Sequence, residues 1–254
     1  MTTIRKIFLA VLSALLLAAA LPAAAQQAQG DVNQQILQEL RAIRELLEGQ
    51  RRDMLRPAAA PQAPDDRVSL PFDRGGYSLG KSNAPLVMVE YTDYECPFCR
   101  QYHLNSFEQI RRNYVDTGKV LYVSRDFPLD MHQNAPRAAA AGRCAAEQNK
   151  FWELRHAMIA NADKLGAEQI VGYAKELKLD IAKFRPCMLS NRFKKSIDED
   201  MDEGRSVGIS GTPSFVIGRL VDGKLDGVRM VGAMPYINFA QKLDEMLQKT
   251  AGAK

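Results

Sequence analysis

Short apolar runs alternate along this chain with longer stretches of helical periodicity. Two of the apolar runs are residues 85–91 (PLVMVEY) and 119–124 (KVLYVS). Their length and β-branched side chains are typical of buried strands in a central sheet. Two further β runs, 214–217 (SFVI) and 227–231 (GVRMV), are joined through the turn dipeptide Asp222-Gly223. The pattern therefore predicts a sheet that ends in a hairpin.

Helical periodicity occupies the segments between these runs. Residues 96–114 predict a helix after the first strand, and residues 235–247 predict an amphipathic helix at the end. Residues 133–205 are rich in Ala, Glu, Lys and Leu, and we expect three or four helices there. The order β, α, β, helical block, β, β, α predicts an α/β fold with a helical insertion at about 133–205.

An apolar seam precedes this domain. Ile36, Leu40, Ile43 and Leu47 are spaced four, three and four residues apart, which is the a/d pattern of a coiled coil. We therefore expect an oligomerising helix within 26–56 and a homo-oligomer formed through 31–55. The seam covers only about two heptads, so an amphipathic helix folded against its own domain is the alternative.

The first 25 residues have the pattern of a secretory signal peptide. Arg5 and Lys6 precede the apolar run Ile7–Leu21, and Ala23–Ala25 supply a cleavage site. The alternative is an uncleaved anchor, but Pro22 interrupts the run before the roughly 20 apolar residues that a membrane span needs. The sequence predicts export.

A proline-rich spacer follows the seam. Residues 57–67 begin with PAAAPQAPDD, which is typical of a semi-rigid extended linker. We place the main domain at 68–254. The chain is 46% hydrophobic and 25% charged, as in soluble globular proteins, and its net charge of +4 comes with no basic block, so no nucleic-acid partner is expected.

The motif Cys96-Pro97-Phe98-Cys99 carries the candidate chemistry. It follows the first strand and opens a helix, where the helix dipole favours a thiolate at Cys96. Pro97 suits the first turn, and two intervening residues bring Cys99 within disulfide reach. The predicted reaction is thiol-disulfide exchange.

Other uses of a cysteine pair fit less well. A c-type haem site needs histidine at position 100, where this chain has Arg100. Structural zinc usually needs a second close pair, but Cys144 and Cys187 are single and far apart. We expect no metal and no prosthetic group.

Three segments together resemble the DsbA-like thioredoxin-fold oxidoreductases of bacterial periplasms. They are EYTDYECPFCRQYH (90–103), AAGRCAAEQNKFWELRHAM (140–158) and GISGTPSFVIG (208–218), within a resemblance that covers about 77–247. The N-terminal helix is also similar to that of the oligomeric ScsC-like proteins, which shuffle disulfides. The resemblance implies a thioredoxin-like fold and a periplasmic location.

The resemblance also implies roles for particular residues. Cys96 matches the exposed attacking cysteine, and Cys99 matches the buried resolving one. Pro213 matches a cis-proline that faces the pair, and Thr212 lends backbone groups to an extended substrate. Pro97 and Phe98 are expected to contact substrate. Taken alone, Thr212-Pro213 is an ordinary turn.

Two acidic residues lie near the motif. Glu90 matches a buried acid of the family, and burial would equip it to relay a proton for Cys99. The alternative for Glu90 is a carboxylate exposed to water at the end of a strand. Glu95, next to Cys96, would oppose thiolate formation by like charge.

Cys144 and Cys187 match a second pair that some relatives oxidise into a structural bridge. The alternative is two packed free thiols.

Phe98 departs from the family, whose commonest motif has histidine at this place. The missing histidine removes one donor that could stabilise the thiolate, which favours use as an isomerase or reductase over strong oxidation. His103, four residues after Cys99, is expected to be a surface or core-edge histidine, as are His132 and His156.

The predicted function is thiol-disulfide exchange with unfolded or misoxidised exported proteins, as oxidase or isomerase, with a membrane redox partner. The alternatives are a non-catalytic holdase that uses the peptide groove and a protein that binds copper through the thiol pair.

Overall fold

The computed structural model describes residues 34, 36–45, 66–72 and 77–251. The chain divides into two units, Met1–Ala63 and Pro64–Lys254. In the first unit, residues 36–45 are helical, and Ile36, Leu40 and Ile43 of the seam are exposed. The predicted signal peptide, most of the spacer and the remainder of the seam lie outside the described residues.

The second unit is built on a six-stranded sheet. In spatial order the strands are β1, β6, β5, β3, β4 and β2. β3 and β4 pair in parallel, and the other neighbours are antiparallel. The strands are β1 Arg67–Pro71, β2 Tyr77–Leu79, β3 Leu86–Thr92, β4 Val120–Asp126, β5 Ser214–Val221 and β6 Lys224–Val231.

The buried strands correspond to the apolar runs of the sequence. Every residue of β3 and β4 is buried, as expected for strands covered on both faces. β5 and β6 form the predicted hairpin, and Asp222 and Gly223 at its turn have φ values of 50° and 77°. The two edge strands were not predicted. β1 begins at Arg67.

One face of the sheet is covered by two helices. The first, α1, runs without interruption through Pro97–Tyr102, His103–Phe107, Glu108–Ile110 and Arg111–Val115, and two of these segments have wider π-helical turns. The second is the C-terminal helix, Tyr236–Ala251. Their apolar side chains pack with Leu86 and Met88 of β3 in one core. Glu90 follows the same alternation, so its side chain enters this core.

The helical insertion contains five helices between residues 133 and 206, all of which the structure describes. The prediction of three or four was too low, because short breaks at residues 177–180 and 190–193 divide the block further. The helices are α2 Ala135–Ala146, α3 Phe151–Ala160, α4 Ala167–Glu176, α5 Ile181–Leu189 and α6 Lys194–Ser206. They share their own apolar core. In the described part of the chain, no helix has the length and apolarity that crossing a membrane would need.

Buried ion pairs attach the insertion to the sheet. Arg143 of α2 donates to Asp126 of β4 at 2.7 Å and to Asp200 of α6 at 2.6 Å. Burial, reinforced by the nearby Asp126 charge, raises the pKa of Asp200 to about 7. Removing one partner of such a network typically costs about 3–5 kcal/mol. The network therefore fixes the insertion beside the end of β4, close to the start of α1.

Candidate functional site

Cys96 lies where the loop after β3 turns into α1. It is the N-cap of the helix, with an extended backbone, and Pro97 occupies the first turn. The Cys96 amide donates to the Asp93 carbonyl at 3.2 Å, which closes the turn. The whole residue is only 3% exposed, so the expectation that Cys96 is exposed is wrong: the turn and the facing Thr212 carbonyl enclose its sulfur. Cys96 and Cys99 are both free thiols. The expected junction of strand and helix is therefore present.

The Cys96 sulfur is surrounded by donors. The hydrogen bond from the Cys99 thiol, together with backbone amides of Cys99 and Phe98, outweighs desolvation and lowers the pKa of Cys96 to about 6. The Thr212 carbonyl lies 3.4 Å from this sulfur and accepts from it only when the thiol is neutral. Near neutral pH the thiolate is therefore the main form of Cys96.

Cys99 has the opposite character. It is fully buried in the first turn of α1, and burial together with the charges of Cys96 and Glu90 raises its pKa well above the ordinary value. The amide of Asp93 lies 3.5 Å from its sulfur. The two sulfurs are thus unequal: one is held ionised, and the other is held as a thiol.

Glu90 is fully buried near the end of β3. One carboxylate oxygen accepts from the Tyr122 hydroxyl and from the Arg155 guanidinium, and the other has no hydrogen-bond partner in the described chain. The exposed position considered as the alternative is therefore wrong. The proton-relay role remains a hypothesis, and Arg155 binds the same carboxylate.

Arg155 is a buried residue that the sequence analysis missed. It projects from α3 and lies over the rings of Phe107 and Trp152, 5.4 and 5.3 Å from their centroids. Its sequence signal was a charge at a helical position among Phe151, Met158 and Ile159. A cation on an apolar helix face needs a buried anion, which here is Glu90.

His103 continues this network towards solvent. The Arg155 guanidinium can only donate, so Nδ1 of His103 accepts at 3.2 Å and its Nε2 donates to Nδ1 of the exposed His156 at 2.8 Å. Burial and the Arg155 charge lower the pKa of His103 to about 2. The expectation of a surface or core-edge histidine is wrong for His103, because its ring is enclosed by these partners and stacked on Phe107.

Thr212 and Pro213 face the motif across the site. The peptide bond between them is cis, and the Thr212 carbonyl lies 3.4 Å from the Cys96 sulfur. Pro213 is held by its carbonyl, which accepts from the Gly232 amide at 2.8 Å. The sequence-predicted Cys96 and Thr212, which are 116 residues apart, are thus brought into contact.

The remaining residues of the motif region lie on its outer side. Phe98 is 60% exposed beside Cys96. The Glu95 carboxylate has hydrogen-bond partners of its own. It accepts from the amide of Asn134 at 2.7 Å and from the Asn134 side chain at 3.0 Å. Asn134 is the N-cap residue of α2, so the negative charge of Glu95 lies at a helix N-terminus, which favours it. This contact could not be predicted from the sequence.

Asp93 and His132 form a further pair beside the motif. The Asp93 carboxylate is completely buried and lies 2.8 Å from Nδ1 of His132. Despite desolvation, hydrogen bonding to Asp93 and the nearby negative charges raise the pKa of His132. Neither residue was assigned a role from the sequence.

The other two cysteines lie in the insertion. Cys144 of α2 and Cys187 of α5 form a disulfide with Cα atoms 5.9 Å apart. No cluster of His, Cys, Asp or Glu suited to a metal ion occurs in residues 66–72 and 77–251 or in the described part of the N-terminal helix.

Comparison with known proteins identifies the family. A family profile described as thioredoxin matches residues 73–230, which is more than half of the chain. The chain belongs to the thioredoxin family. The crystal structure of Wolbachia pipientis alpha-DsbA1 superposes with a TM-score of 0.64 at 26% identity, and the match covers 72% of this thioredoxin-family chain and 96% of that one. The fold is therefore DsbA-like, with a helical insertion.

Curated relatives match the same region. The Na(+)/H(+) antiporter NhaA 3 of Salinispora tropica is 38% identical over 139 residues, which are 54% of this thioredoxin-family chain and 21% of that protein. The chain thus spans about a fifth of the length of that antiporter. The probable disulfide bond formation protein D of Bacillus cereus is 28% identical over 162 residues, covering 60% of this chain and 74% of that protein.

Proposed function

We propose that this protein is a thiol-disulfide oxidoreductase that acts on exported proteins. One observation carries the proposal: the sulfur with the lowered pKa, Cys96, lies at a helix N-terminus beside a second, neutral thiol, Cys99. The probable disulfide bond formation protein D and the DsbA-like fold support the same chemistry.

The proposed reaction has two steps. The Cys96 thiolate attacks one sulfur of a substrate disulfide, an S–S bond forms between Cys96 and substrate, and the other substrate sulfur leaves as a thiolate that takes up a proton. Cys99 then loses its proton and attacks Cys96, so that the second substrate sulfur leaves reduced and the Cys96–Cys99 disulfide forms. The reverse sequence oxidises the substrate.

The substrate is proposed to lie against Thr212 and Pro213. The Thr212 carbonyl is adjacent to the attacking sulfur, so an extended peptide placed there has its own disulfide within reach of Cys96. Backbone hydrogen bonding of this kind recognises an extended segment with little dependence on its side chains. Exposed Phe98, and Pro97 beside it, would add apolar contact.

Glu90 is proposed to accept the proton of Cys99 during resolution. Its unpartnered carboxylate oxygen is the group that can do so, because the other oxygen is engaged by Tyr122 and Arg155.

The location and assembly are proposed from the sequence and from the second cysteine pair. The Cys144–Cys187 disulfide is consistent with an oxidising compartment, and the pattern of residues 1–25 is consistent with export to the periplasm. The exposed seam residues Ile36, Leu40 and Ile43 support a homo-oligomer. A membrane redox partner would restore the oxidation state of the Cys96–Cys99 pair after each reaction.

The direction of exchange is proposed to include isomerisation. An apolar Phe98 lacks a charge that would stabilise the thiolate further, and an oligomer would restrict access by a membrane oxidase. Sedimentation of the mature chain and the equilibrium of the cysteine pair with glutathione would test this.

Insulin reduction and the refolding of a scrambled substrate test the proposed function. Wild type should be active in both assays, and Cys96→Ala should lose activity by on the order of 10³-fold or more, as expected when a nucleophile is removed. Cys144→Ala/Cys187→Ala is the matched control and should keep its activity at a temperature where it is folded. Activity that does not depend on Cys96 would contradict the proposal and favour a holdase.

A further inference from the structure

We infer that His132, oriented by Asp93, is the cation that stabilises the Cys96 thiolate, a role that no residue within the Cys96–Cys99 motif can fill. The inference rests on the proposed function, because it assigns a role within the same site. Asp93 acts as a positioning residue. The motif itself has apolar Phe98 and Pro97 between its cysteines.

The loop that carries His132 is fixed to the segment that leads into the motif. The Phe127 amide donates to the Thr92 carbonyl at 2.8 Å, and the Leu129 amide donates to the Asp93 carboxylate at 2.8 Å. At its far end, Asn134 donates twice to Glu95. Residues 127–134 are thus attached at both ends to residues 92–95, immediately before Cys96.

Asp93 connects the imidazole to the backbone of Cys96 and to the sulfur of Cys99. Its side chain accepts from Nδ1 of His132, its carbonyl accepts from the Cys96 amide at 3.2 Å, and its amide lies 3.5 Å from the Cys99 sulfur. Since a carboxylate can only accept, Nδ1 of His132 carries the hydrogen. The second ring nitrogen then takes up the proton that makes the ring a cation.

The charges around His132 favour that cation. Burial opposes it, but the Asp93 carboxylate and the negative charges of Cys96 and Glu95 together outweigh burial. Electrostatic coupling is mutual: if the Cys96 thiolate favours protonation of His132, the protonated His132 favours the thiolate equally. Glu95 opposes the thiolate, but it is already engaged with Asn134.

A purely structural role makes a different prediction. If His132 only attaches the loop to Asp93, then any side chain that donates to Asp93 should suffice. His132→Gln retains an N–H donor without the charge, whereas His132→Lys retains the charge. The comparison of these two variants separates loop attachment from charge. Met131→Gln is the matched control, because Met131 is the neighbouring residue and is 81% exposed.

The test is the pH profile of Cys96 alkylation by iodoacetamide, read by mass spectrometry on the reduced full chain. In His132→Gln the midpoint should rise by about half a pH unit or more, so that labelling on the acid side of the profile falls about threefold. His132→Lys should restore the wild-type midpoint, and Met131→Gln should not change it. A folded His132→Gln with the wild-type midpoint would overturn the inference.

A second measurement decides the matter if His132→Gln does not fold. NMR titration should show a lower pKa for the His132 imidazole in Cys96→Ser than in the reduced wild type, and an unchanged value would overturn the inference. Neither readout requires a substrate. If the wild type does not reduce insulin but both pH measurements shift as predicted, the proposed function alone is refuted. If the wild type reduces insulin but neither pH measurement shifts, the role of His132 alone is refuted.

Discussion

Cys96 and Cys99 are separated by two residues at the start of α1, whereas Cys144 and Cys187 are 43 residues apart on two helices of the insertion. Around the first pair lie backbone donors, Asp93, His132 and the buried Glu90. Around Cys144 lie mainly apolar side chains such as Ala141 and Phe184. The first pair is reduced in the structure, and the second is a disulfide.

This difference shows that position, more than the presence of two cysteines, determines what a pair can do. The helix N-terminus and its donors favour negative charge on Cys96, while burial disfavours negative charge on Cys99. Two thiols of unequal pKa suit a cycle in which one attacks and the other resolves the mixed disulfide. The second pair has no comparable arrangement and crosslinks two helices, so the first pair is suited to exchange and the second to stability.

The largest expected effect is the trapping of substrate by Cys99→Ala. Without the resolving thiol, the mixed disulfide between Cys96 and substrate should accumulate, since the second step cannot occur. Non-reducing electrophoresis with a disulfide-containing substrate would show the adduct. Cys187→Ala also leaves one cysteine unpaired. It should form far less adduct at Cys144, because Cys144 lies within α2 in an apolar cluster and lacks the helix N-terminus that favours a thiolate at Cys96. Equal trapping by both variants would remove the distinction between the pairs.

Glu90→Gln should have the next largest effect. The change leaves the buried Arg155 without its anion, and breaking such a pair typically costs about 3–5 kcal/mol, although the Gln carbonyl can still accept and moderates the loss. Denaturant unfolding would measure the stability, and rapid quenching of the trapped intermediate would measure the rate of resolution. Glu90→Gln/Arg155→Met should recover stability but not the rate. Full recovery of both would exclude a proton-transfer role for Glu90.

Much of this fold could be predicted from the sequence, because apolar runs such as 85–91 report burial directly. The edge strands could not, since Arg67–Pro71 and Tyr77–Leu79 are short and half-exposed and lack a clear pattern. In the site, the motif identified Cys96 and Cys99. Arg155 and His132 were missed because they come from distant parts of the chain, and only tertiary contacts bring them to Glu90 and Asp93.

Removing the second pair should reduce stability without changing the reactivity of Cys96. In the chain-entropy description, a crosslink closing a loop of this size stabilises the folded state by about 4 kcal/mol. Cys144→Ala/Cys187→Ala should therefore unfold at lower denaturant concentration, while the pH midpoint of Cys96 alkylation stays the same. A shift of that midpoint in the folded variant would mean that the two regions are coupled.

The last expected effect is on the pH dependence of stability. The pKa of Cys96 is lowered in the folded, reduced protein from its ordinary value of 9.0 to about 6. Its contribution is therefore complete above about pH 9 and is lost as the pH falls through about 6. The difference in thermal midpoint between reduced wild type and Cys96→Ser should grow over that interval, with the second disulfide intact. Parallel curves would contradict this.

The most direct test of the account is the rate of Cys96 alkylation as a function of pH in the reduced wild type. We predict a midpoint at about pH 6, with Cys99 unlabelled under the same conditions. A midpoint near 9.0, the ordinary value for a thiol, would show that the start of α1 does not hold Cys96 ionised, and it would contradict the account.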